Sequence, residues 1–182
     1  MQPQTASLES AADRDARIRD AQNAVIKRMR ASPENARSTI RTEGRVDEGL
    51  TCHVSQGRFE TVMDLGFAMG GDCAGPSPGY FARAAIAGCV SIAIKMLAAR
   101  EGLRFESVAV AVETDFDDSA LFGIGIASAA PVETRISIDV STDAEGTIVK
   151  DIVDRVLEMD PWFLALRDPQ NVATSIALQP AT

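Results

Sequence analysis

Apolar and polar residues follow two periods along this chain. Leu50, Cys52 and Val54 alternate with Thr51, His53 and Ser55, while Phe59, Thr61, Met63 and Leu65 alternate with Arg58, Glu60 and Asp64. A period of two marks half-buried strands, and Gln56-Gly57 between them predicts a hairpin turn. A less regular strand is expected over residues 39–46. The same period returns at Val108, Val110 and Val112, at Phe122, Ile124 and Ile126, and at Ile136, Ile138 and Val140. Val172, Thr174, Ile176 and Leu178 extend it to a final strand.

Helical spacing fills the intervals. Ser77 suits an N-cap, Pro78 the first helical position, and Gly102 a stop after Arg100-Glu101. The helix so bounded would be about 36 Å long. Its middle, residues 84–94, is apolar on nearly all sides, as in a helix at the centre of a fold or a dimer. Over residues 143–159, Ile148, Val149, Ile152, Val153, Val156 and Leu157 form a single stripe and predict another helix. Residues 8–30 are rich in helix formers and carry a thin stripe of Ile18, Ala21, Val25 and Met29, broken by Ser32-Pro33. This is an accessory helix, packed on the body or exchanged onto a partner. Strands grouped before a helix, twice over, imply an α+β fold with antiparallel sheets.

Composition narrows the function. A length of 182 residues suits one compact domain or two small ones. Residues 1–48 hold nine basic and eight acidic side chains and the remainder nine and eighteen, for a net charge of -8. That balance repels phosphates, and 5% aromatic residues leave little for base stacking, so nucleic acid is excluded as a partner. The single histidine, His53, rules out zinc sites that need two imidazoles, and neither a metal nor a cofactor is expected. Three cysteines, at 52, 73 and 89 with no CxxC pair, read as free thiols in a reducing cytoplasm. No basic flank with an apolar stretch opens the chain, and the apolar run 84–94 falls short of the roughly 20 residues a bilayer needs. Neither a secretory leader nor a membrane span is expected.

Motifs for common chemistries fail on physical grounds. Gly75-Pro76-Ser77-Pro78-Gly79 matches a GxSxG nucleophile elbow, but the residue after the serine must donate its N–H to an oxyanion, and Pro78 has none. Ser77 is read as a helix cap instead. The loop containing Gly70-Gly71-Asp72 lacks the lysine or the spacing of a phosphate cradle, and Gly123-Ile124-Gly125 sits in a strand pattern. Alternation sends His53 and Cys52 to opposite faces of one strand, so they should not form a catalytic pair. His53 belongs to the surface and Cys52 to an apolar face. Cys89, in the long helix, is by itself either a buried apolar residue or a reactive thiol.

The run Asp64-Leu65-Gly66-Phe67-Ala68-Met69-Gly70-Gly71, then Gly75-Pro76-Ser77-Pro78, then Ala84-Ala85-Ile86-Ala87-Gly88-Cys89 resembles the OsmC family of osmotically inducible and organic hydroperoxide resistance proteins. The order of elements is similar over residues 36–182, with residues 1–35 as a helical extension. The resemblance implies an OsmC-like intertwined α+β homodimer, with antiparallel sheets around two long central helices. It also implies a role in thiol-dependent reduction of organic hydroperoxides. In that family a helix cysteine attacks the peroxide, a second cysteine closes a disulfide, and an arginine and a glutamate activate the thiol.

Position by position, the pattern is partly replaced. Cys89 falls on the helix cysteine, and Arg45 is the candidate arginine. Tyr80 stands where the glutamate is expected. Asp160, in Asp160-Pro161-Trp162-Phe163, stands where the second cysteine would be. Cys73, the nearest other thiol in sequence, would have to fold back along the helix to reach Cys89. A carboxylate sharing a cavity with Cys89 would raise the pKa of the thiol. The expectation is a cytoplasmic stress protein with weakened or lost peroxidase activity on organic hydroperoxides. The alternative is a non-catalytic dimeric module that binds a hydrophobic small molecule.

Overall fold

The computed structural model describes residues 9–178. The long helix forms where its boundary signals place it, as α2 (Pro78–Arg100), entered from α1 (Ala11–Ala31) through three short strands. The Ser77 side chain accepts a hydrogen bond from the Tyr80 N–H at 3.3 Å, which settles its role as a cap. At the other end Gly102 takes φ +74°. Its N–H reaches Ala99 O and that of Leu103 reaches Ala98 O, the paired bonds of a Schellman stop.

The short strands β1 (Glu43–Val46), β2 (Cys52–Gln56) and β3 (Phe59–Met63) form an antiparallel sheet in the order β1-β2-β3. Val46 sits opposite Cys52 and Cys52 opposite Met63, so these three share one face with Val54 and Phe59. Beyond the loop after α2, β4 (Phe105–Asp115) and β5 (Glu133–Thr142) form a separate antiparallel pair. There Val108 faces Val140, Val110 faces Ile138 and Val112 faces Ile136. This apolar ladder lies against α2, and α3 (Gly146–Leu157) adds Ile152 and Val156. With Val90, Ile94 and Phe105 they make the fully buried core. None of β1–β3 contributes to it.

Four sequence expectations change. The strand expected at Phe122–Ile126 is a 3-10 turn (Asp118–Phe122) and a loop, because Gly123 and Gly125 take φ +67° and +78° and leave the extended region. The helix expected over 143–159 forms as α3, a few residues shorter at each end, and an unexpected short helix, α4 (Pro161–Arg167), starts afresh after Asp160. Asp160 is held at φ -80°, ψ 118° in front of a proline. The final strand is not formed over the described residues. Val172, Ile176 and Leu178 are exposed and pair with no sheet edge of their own chain. The strand expected over 39–46 shortens to β1.

The N-terminal extension packs on the body. Ile18 and Val25 of α1 are half-buried, and Asp15 pairs with Lys95 of α2 at 3.9 Å. By length and composition α2 could cross a membrane. Here one face of it forms the core, while the opposite face leaves Ile92 60% exposed.

Candidate functional site

Cys89 lies in the middle of α2, half-buried. Across from it the chain returns as α4, and Asp160 caps that short helix. Asp160 Oδ1 accepts from the N–H of Trp162 at 3.1 Å and of Phe163 at 2.8 Å. The residue is 2% exposed, and its second oxygen, Oδ2, has no hydrogen-bond partner. Cys89 and Asp160 line one cavity of about 360 Å³, whose wall is apolar and includes Ile92, Ala93, Met96 and Val156. Arg100 also lines it. The arrangement follows from the Asp-Pro pair: it stops the preceding helix, demands a cap, and turns the capping carboxylate inward.

The electrostatics oppose a thiolate. Burial pushes the Cys89 thiol up, the adjacent Asp160 carboxylate pushes it further, and a backbone N–H at Trp162 offsets little; the result is about 11 against an ordinary 9.0. The neutral thiol interacts with the Asp160 carboxylate through its S–H, although no contact of Oδ2 meets full hydrogen-bond geometry. At pH 7 about one thiol in ten thousand is ionised at such a pKa. Cys89 is therefore a weak nucleophile in its resting state.

The other expected positions lie elsewhere on the single chain. Arg45, in β1, is exposed and bonded to Asp47, with Nε to Oδ1 at 2.7 Å. The Asp47 carboxylate holds that guanidinium firmly protonated. Arg45 shares a separate surface hollow with His53 and Glu60, not the cavity of Cys89. Tyr80 is exposed in the first turn of α2, edge-on to Phe81 at 5.3 Å. Nine residues, about 13 Å of helix, separate it from Cys89. His53 is exposed, as strand alternation requires, and Cys52 is half-buried. Cys73 is exposed at φ 55°. All three cysteines are free, and no group of three or more His, Cys, Asp or Glu able to hold a metal occurs among the described residues.

One organising residue escaped the sequence reading. Asp64, 2% exposed, gathers the glycine-rich loop that leads into α2. Its carboxylate accepts from Leu65 N–H at 2.7 Å, Asp72 N–H at 3.2 Å, Ala74 N–H at 3.1 Å and Thr51 Oγ1 at 3.0 Å. These donors, the Ala74 amide foremost, hold its carboxyl below the usual range. A side chain at Gly71 would place Cβ 2.2 Å from Leu65 O, and one at Gly75 2.4 Å from Val62 O. The glycines let the loop close on the strand, and the carboxylate pins it there. An acidic residue at the head of a glycine-rich loop was the available signal.

A family model described as OsmC-like protein matches residues 70–175. Among solved structures, the fold is similar to that of an OsmC-like protein from Mycoplasma pneumoniae, at 13% identity and a TM-score of 0.61, over 71% of this chain and 88% of that one. It is also similar to an organic hydroperoxide resistance protein from Elizabethkingia anophelis, at 13% identity and a TM-score of 0.51, over 72% and 89%. No curated protein matches the sequence.

Proposed function

Because this chain belongs to the OsmC family, we propose that it is a stress protein that reduces organic hydroperoxides slowly at Cys89, as a cytoplasmic homodimer. The observation that carries this reading is the placement of Cys89 and Asp160 in one apolar cavity. The cavity suits an alkyl hydroperoxide, and the carboxylate explains a slow rate. The Cys89 thiolate would attack the outer peroxide oxygen; the S–O bond forms as O–O breaks, and the leaving alkoxide takes up a proton to become the alcohol. Cys89 is left as a sulfenic acid. With Asp160 in place of a second thiol, regeneration falls to an external thiol. One equivalent forms a mixed disulfide and releases water, and a second liberates Cys89 as an external disulfide forms.

Titration with cumene hydroperoxide, followed by intact mass, should add one oxygen to Cys89, and Cys89→Ser should lose that addition. Dithiol-driven turnover should lie at least about a hundredfold below that of a two-cysteine relative, a loss of roughly 2.7 kcal/mol in transition-state stabilisation. Asp160→Cys with Tyr80→Glu should raise it. Rapid wild-type turnover that persists in Cys89→Ser would sink the assignment. A second reading, a binding module for a hydrophobic small molecule, is favoured by the unpartnered Asp160 Oδ2 in a largely apolar cavity.

A further inference from the structure

We propose that the Cys89–Asp160 cavity takes a small aliphatic ammonium, an unbranched primary amine of about eight carbons, with its head on Asp160 Oδ2. The inference deepens the binding reading above and rests on it. A carboxylate inside an apolar cavity needs a donor, preferably a charged one. Asp160 is 2% exposed, and two backbone N–H groups use only Oδ1. The Cys89 S–H beside it is a weak, uncharged donor, so the carboxylate keeps no counter-charge in the cavity wall next to it. Arg100 lines the same cavity, but eleven residues of helix, about 16 Å, lie between it and Cys89.

The free oxygen also selects the head group. A guanidinium binds a carboxylate best through both oxygens, and here the first is committed to the α4 cap. One available oxygen in a largely apolar cavity fits the compact charge of an ammonium. The chain would then run along Ala93 and Met96, which follow Cys89 at helical spacings of four and seven. Cys89 to Met96 spans about 10 Å of helix, which sets the preferred chain length.

Calorimetric titration of the wild-type protein at pH 7.5 with n-octylamine, 1-octanol and octanoate, each below its micellar concentration, tests this. Octylamine should bind at least tenfold more tightly than octanol, and octanoate should be the weakest. Asp160→Asn keeps an equally good helix cap and should erase the preference for octylamine while leaving octanol binding in place. The comparison of the three ligands stands even where the variant is unstable. Equal affinity for octylamine and octanol would overturn the ammonium assignment and leave the binding reading intact. Absence of binding by all three would overturn both.

Discussion

The two buried carboxylates, Asp64 and Asp160, do the same kind of local work with different consequences. Each accepts backbone N–H groups and so makes a chain reversal possible. Asp64 uses both oxygens, whereas Asp160 leaves one unused beside a thiol. The Cys89 pKa of about 11 has two measurable results. Alkylation of Cys89 by iodoacetamide, read by peptide mass, should rise about tenfold per pH unit well past pH 9. Asp160→Asn removes the adjacent negative charge, so it should lower the Cys89 pKa and speed alkylation at pH 8. A slower reaction in the variant would contradict the geometry. For stability the sign is fixed by linkage: the folded thiol titrates above the unfolded one. Its contribution is complete below pH 9 and is lost as pH rises toward 11. Chemical denaturation across that window should show the decline, and Cys89→Ala should flatten it.

At the scale of elements, α2 and the loop before it form one unit. The loop closes because Gly71 and Gly75 admit strand carbonyls where a Cβ would stand. Gly71→Ala forces backbone to move and should destabilise by about 2–3 kcal/mol, measured by urea denaturation. Gly88→Ala, in the same chain, has no neighbour within 4 Å of the added carbon, sits in a helix, and should be neutral or mildly stabilising. Equal costs for the two would show that close approach is not what the loop requires. The contrast between strand groups is similar in kind. The β4–β5 pair has its apolar ladder covered by α2 and α3. The β1–β3 sheet carries Val46 and Phe59 with no helix over them.

Among the described residues apolar surface stays open along the outer stripe of α2 around Ile92, on the β1–β3 face, in the loop holding Phe122 and Ile126, and in the tail at Val172 and Ile176. Exposed surfaces of this extent seek a partner, and a second copy offers the same surfaces. We expect light scattering at micromolar concentration to give a dimer of about twice 19.4 kDa; a stable monomer would refute it. In the same sample, thiol labelling should reach Cys73 first, because it is exposed on its loop. Cys52 should react far more slowly than Cys73, since its strand face would be covered. Ile92→Glu should shift the dimer toward monomer, without disturbing the core, which lies on the opposite side of α2.

What the sequence alone determined is what depends on near neighbours. The limits of α2 follow from Ser77, Pro78 and Gly102, because caps and stops act within one turn. The strand phases at Cys52–Val54 and Val108–Val112 follow from alternation, which any backbone in that region must obey. Val172–Leu178 carries the same alternation and forms no strand over the described residues, because alternation alone does not bring a segment to a sheet edge and neither sheet pairs with it. The identity of Cys89 and Asp160 as candidates was legible through a family pattern. The same pattern implied that the two positions meet, but no spacing in this chain did, since helix α2 and the Asp-Pro break lie far apart in sequence and packing brings them to one cavity. That packing, and with it the buried oxygen left without a partner, is decided by long-range burial, which no local spacing records.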